Sequence, residues 1–309
     1  MFSKFKIALI IFAVIVASFF IYDDWQKYHD KNFQVIFFNV GQGDSALIKF
    51  HNGEKMLVDC GPNKTVLARL GNYLSFFDRT IDYLVITHPD LDHYGGCADV
   101  VQRYHVKNIL ENGDQSKTDS YFSEWNKVAD VSGANRQIVK DFDNWDIAST
   151  TINWLYPNSN VKVEKDDSNN RSIVFKLTDI FGSFMFTGDA EIPLENALLK
   201  KYCVTASTAS SPPPLQGGGI VASPLLSKEG VGGGFVCPTI QADYLKVGHH
   251  GSDSSSGVDW LAVVAPKTVV VSVGKNNFGH PSLRVMRNIL RAGAEILRTD
   301  EIGDIIAKP

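Results

Sequence analysis

The 309-residue sequence predicts an α/β domain, a sandwich of mixed sheets flanked by helices, joined to an apolar N-terminal helix. Three observations predict it. From Phe33 onward, short β-branched and aromatic runs alternate with stretches of helical spacing. Several of those runs end in glycines with an acid or a histidine beside them. The composition, 44% hydrophobic and 21% charged, is that of a globular chain and excludes wholesale disorder. Thirty basic residues against 34 acidic ones leave a net charge of -4, so bulk electrostatic binding to nucleic acid or anionic lipid is not implied. Four cysteines without a CxxC spacing exclude a disulfide scaffold and a cysteine zinc site.

The N-terminal element is an apolar run from Ile7 to Tyr22, preceded by Lys4 and Lys6 and followed by Asp23 and Asp24. As a helix it reaches about 24 Å, slightly short of a hydrocarbon core of about 30 Å. Phe5, Lys6 and Tyr22 extend it by snorkelling and interfacial anchoring. Lysines before and acids after it orient its N-terminus to the cytoplasm and the remaining chain to the outside. Residues 1–31 are therefore expected to be a membrane anchor and juxtamembrane segment, and 32–309 an extracytoplasmic domain. A signal peptide with secretion after cleavage is the rival reading. Ala17-Ser18 is small, but Phe19, Phe20 and Ile21 continue the apolar run and no A-x-A site follows.

Strands are expected at Phe33–Asn39, Ala46–Phe50 and Lys55–Asp59, with His51-Asn52-Gly53 as a hairpin turn. Thr65–Phe77 has helical spacing, Tyr83–Thr87 reads as a strand and Ala98–Tyr104 as a helix. Further strands are expected at Ile152–Tyr156, Ser172–Leu177 and Ser183–Thr187, then a helix at Glu191–Lys201. Tyr244–Val247, Thr268–Val273 and Glu295–Arg298 are strand-like, with a helix at Leu283–Arg291. Residues 203–238 break the pattern. They are rich in Ser, Pro and Gly and read as a low-complexity, disordered insertion in a surface loop. Cys203 and Cys237 flank it, and a disulfide stapling the loop base or two free buried thiols both fit. Cys60 and Cys97 read as small core residues.

The chemistry is concentrated at strand ends. Thr87-His88-Pro89-Asp90-Leu91-Asp92-His93-Tyr94-Gly95-Gly96 places two histidines and two carboxylates within six residues after an apolar strand. A tight turn there directs all four side chains into one cavity, and imidazole with carboxylate suits zinc, manganese or iron. Asp189, in Thr187-Gly188-Asp189, ends another strand and is a candidate ligand bridging two metals. His249 and His250 end a third strand, and His280 lies in the constrained Gly279-His280-Pro281-Ser282 loop. Asp44 and Asp59 follow earlier strands, where Asp59 is placed to orient a metal-bound histidine from behind, with Asp44 in a similar supporting place.

The series NVGQGDS, VDCG, THPDLDHYGG, TGD, LKVGHHGS and SVGKNNFGHPS, in this order, resembles the metallo-β-lactamase fold and, more narrowly, the hydrolase domain of the ComEC/Rec2 competence family. The resemblance covers about residues 33–308 and implies a four-layer αββα sandwich with metals at one edge of the two sheets. It implies metal binding by His88, Asp90, Asp92 and His93, a bridging Asp189, and a ligand from the His249-His250 pair, with His249 favoured as nearer the strand end. The second position of the usual HxHxDH is Asp90, and His105 is a poor substitute for the missing nitrogen because its context is strand-like. More oxygen and less nitrogen tilts the expected pair of divalent ions towards manganese or magnesium relative to zinc, and argues against a β-lactam substrate.

The expected activity is metal-dependent hydrolysis of a phosphodiester, with single-stranded DNA as the substrate implied by the resemblance and DNA uptake in competence as its setting. Asp92 is expected to hold the nucleophilic water, and His250 or His280 to protonate the leaving group. Lys246, Lys275 and Asn276 are candidate phosphate contacts, with ordinary surface lysines as the equal alternative. Hydrolysis of a small ester or lactone, and a non-catalytic metal-binding module, are the rival functions. One apolar helix cannot form a DNA-conducting pore, so a multi-helix membrane channel would have to be a partner.

Overall fold

The computed structural model describes residues 2–205 and 235–307. It begins with α1 (Phe2–His29), whose stretch Lys4–His29 is long and apolar enough to cross a membrane and has none of its most apolar window buried. The helix projects from the domain and is not one of its core helices.

The first half of the domain runs β1 (Gln34–Phe37), β2 (Ala46–Lys49), β3 (Lys55–Val58), α2 (Thr65–Tyr73), β4 (Thr80–Ile86), α3 (Leu91–Tyr94), α4 (Cys97–Arg103), β5 (His105–Glu111), α5 (Ser120–Val131) and β6 (Asn135–Ile138). The second runs β7 (Trp145–Ile147), β8 (Thr150–Tyr156), β9 (Val174–Asp179), β10 (Gly182–Phe186), α6 (Ile192–Tyr202), β11 (Val204–Thr205), β12 (Phe235–Val236), β13 (Tyr244–Lys246), α7 (Val258–Val264), β14 (Thr268–Val271), α8 (Leu283–Arg291), β15 (Glu295–Arg298), α9 (Thr299–Ile302) and β16 (Ile305–Ala307). One sheet has the order β16-β1-β2-β3-β4-β5-β6, the other β15-β14-β13-β10-β9-β8-β7.

Alternation along the strands builds the layers. Val35 and Phe37 of β1 pack with Phe175, Phe184 and Phe186 of the second sheet, whereas Ile36 and Phe38 face Leu70, Val100 and Trp125 of α2, α4 and α5. The far face of the second sheet packs Met185 and Leu245 against Leu194, Trp260 and Ile289 of α6, α7 and α8. The result is the expected four-layer αββα sandwich. Phe186 joins the sheets, stacked on Phe175 at 4.8 Å and on Phe37 at 5.6 Å between ring centroids.

The parallel strands β3 and β4 of one sheet and β10, β13 and β14 of the other carry their C-terminal ends to one common edge. That edge is where open α/β sheets bind ligands. Strands β5, β6 and β7, helices α3, α5, α7 and α9, the closing strand β16, and β11 and β12 at the two ends of the segment expected to be disordered add to the elements expected from sequence. Strand β6 is a half-exposed edge, NRQI, with little apolar alternation. Strand β16 gains its partner only through pairing with β1, at the opposite end of the chain. Helix α7 is short and almost wholly apolar, so its sequence has no helical face to read.

One cysteine pair, Cys60 and Cys97, differs from the expected small core residues, while Cys203 and Cys237 take the first of their two expected states. Cys60 and Cys97 form a disulfide, as do Cys203 and Cys237, which leaves no free cysteine among the described residues. The first bridge ties the turn after β3 to the start of α4. Cys203 and Cys237 sit at the base of the expected insertion, where β11 pairs antiparallel with β12. The rest of that insertion, 206–234, lies outside the described residues.

Candidate metal centre

The chain reverses sharply after β4, and α3 starts at Leu91 with Asp90 as its cap residue. This turn swings His88, Asp90, Asp92 and His93 around one point. Two neighbouring loops support it from beneath: after β3, Cys60 N–H donates to His93 O at 2.6 Å, and before β2, Asp44 N–H donates to Asp92 O at 3.1 Å. Gly43 must be glycine here, since a Cβ would lie 2.3 Å from Asp92 O.

Asp189 follows β10 and is the hub. Its Oδ1 lies 3.1 Å from His93 Nε2, and its Oδ2 lies 3.5 Å from His250 Nε2 and 3.9 Å from both His88 Nε2 and His249 Nε2. Asp92 Oδ2 approaches His250 Nε2 at 3.2 Å, and Asp90 Oδ2 approaches His88 Nε2 at 3.7 Å. Asp92, His93, Asp189 and His250 each offer an atom within 4.8 Å of the others, a set able to hold a cation.

All four imidazoles point the same way round. His93 Nδ1 donates to Asp59 Oδ2 at 2.8 Å, and His250 Nδ1 donates to the Ser272 carbonyl at 2.8 Å. His249 Nδ1 donates to Glu191 Oε1 at 3.2 Å. Thr87 Oγ1 donates to Asp59 Oδ2 and receives His88 Nδ1 at 3.1 Å. Each Nε2 is thereby turned inward towards the carboxylates, the orientation a metal-bound histidine requires. The buried His88 Nε2, His93 Nε2 and Asp189 Oδ1 have no hydrogen-bond partner; the close His93–Asp189 pair is misaligned for one. Three converging buried polar atoms left without a partner fit a divalent cation held between them.

The electrostatics agree. Burial alone would raise the Asp189 carboxyl, but His250, His93 and Lys246 outweigh it and hold it well below the usual range. Burial pushes His250 down, but Asp189, Asp44 and Asp92 raise it to about 10. His93 is likewise raised, against its burial, by Asp189 and Asp59. The cluster therefore demands positive charge at these Nε2 atoms, which a proton or a divalent cation supplies. His88 goes the other way, lowered by burial and by the neighbouring His93.

The doublet His249-His250 is placed by unusual backbone. Both residues have left-handed geometry, φ 47° and 52°. Such geometry costs about 1–2 kcal/mol per residue. It turns the two rings 69° from each other, with both Nε2 atoms near Asp189 Oδ2. His250 joins the Asp92–His93–Asp189 group, and His249 stands with Glu191. The geometry thus puts His250, rather than the sequence-favoured His249, into the tight four-residue group. With Nδ1 on Ser272 and Nε2 facing Asp92 and Asp189, His250 has no nitrogen directed outward as the expected proton donor would need.

Asp59 and Asp44 stand behind the histidines. Asp44 Oδ1 lies 3.3 Å from His250 Nδ1, and its Oδ2 pairs with Lys246 Nζ. Lys246 corrects an expectation. It is 3% exposed, donates to Gly188 O at 3.0 Å, and faces the interior because alternation along β13 puts it on the same side as Tyr244. It is an internal counter-charge, not a phosphate contact. Asn276 is a second correction. Its amide donates to Gly274 O and His280 O and accepts from Phe278 N–H and His280 N–H, so it folds its own loop. Lys275 is exposed beside it. His280 packs its ring 5.3 Å from His249, with a buried, unpartnered Nδ1. Glu191, Thr87, Ser272 and Ser168 were missed. Glu191 accepts from His249, Ser254 and Asn169 and pairs with Lys165, which together hold its carboxyl at about 2 against the opposing effect of burial. Ser168 and Lys117 hold Asp90 Oδ1 at 2.8 Å each. Glu191 lies two residues beyond Asp189, the one signal that pointed to it.

Comparison with known proteins agrees with this architecture. Residues 38–148 match the metallo-β-lactamase superfamily. ComE operon protein 3 of Bacillus subtilis (strain 168) is 26% identical over 291 residues, covering 88% of this chain and 32% of the relative. Competence protein ComA of Neisseria gonorrhoeae is 26% identical over 274 residues, covering 87% of this chain and 31% of the relative. Recombination protein 2 of Haemophilus influenzae is 24% identical, covering 88% of this chain and 28% of the relative. The chain thus spans about a third of the length of the curated relatives it matches. Among solved structures, the metallo-β-lactamase-fold protein YhfI from Bacillus subtilis superposes with a TM-score of 0.52 at 11% identity, over 89% of this chain and all of that one. CmlA, a diiron β-hydroxylase from Streptomyces venezuelae, gives 0.52 at 13% identity, over 91% and 55%. At these identities the structures establish the fold alone.

Proposed function

From the premise that this chain is a metallo-β-lactamase-superfamily protein related to the ComEC/Rec2 competence proteins, we propose that it is a metal-dependent phosphodiesterase acting on single-stranded DNA. The observation that carries the hydrolase reading is the convergence of four inward-facing Nε2 atoms on the buried Asp189. One ion would be held by Asp92, His93, Asp189 and His250, and a second by His88, Asp90, Asp189 and His249. The mixed oxygen and nitrogen donors suit Mn2+ or Zn2+, with Mg2+ also accepted. When bound, the pair would lower the pKa of a water molecule and neutralise charge on the phosphodiester oxygens.

The protein's own groups divide the remaining work. Asp92, at the solvent side of the cluster, accepts a hydrogen bond from the attacking water. Asp59, Ser272, Glu191 and Thr87 fix the four rings, so no imidazole has to reorient during the reaction. His280 stands at the rim and is the candidate donor of a proton to the leaving oxygen. Exposed Phe278 and Lys275 on the same loop offer a face for a base and a charge for a phosphate. The words competence and recombination in the relatives' names support a DNA substrate and a setting in DNA uptake, and a multi-helix channel partner is proposed because one apolar helix cannot form a pore.

The domain is proposed to be extracytoplasmic and anchored by α1. Both disulfides suit an oxidising compartment, and Lys4 and Lys6 precede the apolar run while Asp23 and Asp24 follow it.

The test is cleavage of end-labelled single-stranded and duplex DNA by the full chain in detergent, with Mn2+, Mg2+ or Zn2+ added in turn and Asp92→Asn as control. Cutting that needs metal and is lost in the variant supports the reading. No cutting by folded, metal-loaded protein overturns the DNA substrate and moves the weight to a small ester or lactone.

A further inference from the structure

The edge of the sandwich opposite the metal centre is built unlike the rest of the surface. It is formed by the β2–β3 hairpin, the α2–β4 turn and the β9–β10 turn, which all lie at the N-terminal ends of strands whose other ends carry the site. Two of these turns hold exposed apolar pairs, Phe76 and Phe77 at 64% and 78% exposure, Ile180 and Phe181 at 79% and 40%. The turns are mutually braced. The His51, Phe33 and Phe181 rings form a triangle, 5.8, 5.6 and 6.5 Å between centroids, and His51 Nε2 is 3.4 Å from Asp179.

The same edge receives α1. Asp24, two residues past the apolar run, accepts from Ser75 Oγ at 2.7 Å and from Phe76 N–H at 2.5 Å. Asp30, just after the helix, holds Lys49 Nζ at 2.9 Å and Gln34 Nε2 at 3.2 Å. The α2–β4 turn is thereby fixed at the height of Tyr22 and Trp25, the exposed aromatics at the end of the apolar stretch. Aromatic side chains concentrate at that level of a bilayer, in its headgroup layer. Arg79, its guanidinium 4.6 Å over the Phe76 ring, adds a cation to the same turn.

We propose that this edge is a membrane-contact surface: Phe76, Phe77, Ile180 and Phe181 enter the interfacial layer of the bilayer that α1 spans, and the domain stands on it with the metal centre facing away. The occupant is the lipid interface rather than a protein, because the anchor that delivers the edge to that depth is part of the same rigid contact set. The height of the site follows from β4. From Thr80 at the membrane edge to His88 at the centre, the extended chain covers about 25 Å. The inference rests on α1 being an uncleaved anchor.

The experiment is photo-crosslinking of the full chain in liposomes containing labelled phosphatidylglycerol and phosphatidylcholine. p-Benzoylphenylalanine replaces one residue at a time: Phe12 in α1, Phe77, Ile180, and Phe278 beside the metal centre. Lipid adducts at Phe12, Phe77 and Ile180, with none above background at Phe278, are expected. Adducts at Phe12 but not at Phe77 and Ile180 overturn the contact surface while leaving the anchor intact. No adduct at Phe12 removes the anchor and the inference together. Adducts at Phe278 as strong as at Phe77 overturn the orientation.

Discussion

Asp59 and His93, 34 residues apart in sequence, are joined by a 2.8 Å hydrogen bond from the imidazole Nδ1 to the carboxylate, and both are buried. The bond fixes which nitrogen of His93 faces Asp189. Asp59→Asn should therefore weaken metal binding by about 10- to 100-fold without unfolding the domain. Metal titration with a competing chelator, alongside circular dichroism, checks both halves of that statement.

Lys246 and Asp44 form an ion pair inside the domain, behind His250. Removing one partner strands the other charge, so Lys246→Met should destabilise the fold by about 3–5 kcal/mol. The double variant Lys246→Met with Asp44→Asn should recover much of that loss. Chemical denaturation of the three variants at one pH measures it. A phosphate-binding role for Lys246 would instead predict unchanged stability.

The Cys60–Cys97 bridge closes a loop of 37 residues. By chain entropy alone, Cys60→Ala with Cys97→Ala should cost about 4 kcal/mol of stability. The same turn carries Asp59, and Cys60 N–H holds His93 O, so the variant should also bind metal less tightly. Urea melts and metal titration of the double variant test the two effects separately.

Glu195, fully buried, accepts from Ser256 N–H and Gly257 N–H, yet burial outweighs those bonds and raises its carboxyl from 4.5 to about 7. In the folded protein it holds its proton to higher pH than in the unfolded chain. Its contribution to stability is thus fully present below about pH 4.5 and is lost as pH rises through about 7. The stability of the wild type relative to Glu195→Gln should fall by up to about 3 kcal/mol between pH 5 and 8. Denaturation of both proteins at each pH gives the difference, in which metal effects common to the two cancel.

Phe278 is exposed on the loop that ends in His280. If a base stacks there, Phe278→Ala should weaken single-stranded DNA binding by about 1–3 kcal/mol and leave metal content unchanged. Fluorescence anisotropy with a labelled oligonucleotide reads the loss.

The parts of the centre legible in sequence are those that local chemistry marks. His88, Asp90, Asp92 and His93 crowd one turn, and Asp189 and the histidine doublet end apolar strands. What was not legible depends on partners far along the chain. The carbonyl of Ser272 that orients His250 carries no side-chain signature. The split of His249 from His250 arises from two consecutive left-handed residues, which nothing in the letters HH announces. Lys246 was legible in principle, since period-two alternation from Tyr244 turns it inward, but the neighbouring motif drew it into the wrong role. In the fold, strands with apolar alternation stood out, whereas β6 and β16 exist only through their pairing.

The Cys203–Cys237 bridge has a practical consequence for anyone preparing this protein. A protease that cuts the backbone once between residues 205 and 235 yields two polypeptides that remain covalently linked. Such nicked material would co-purify with intact chain and migrate with it on a non-reducing gel, separating into fragments only after thiol treatment. Apparent homogeneity should therefore be judged under reducing conditions before any activity is assigned to the continuous chain.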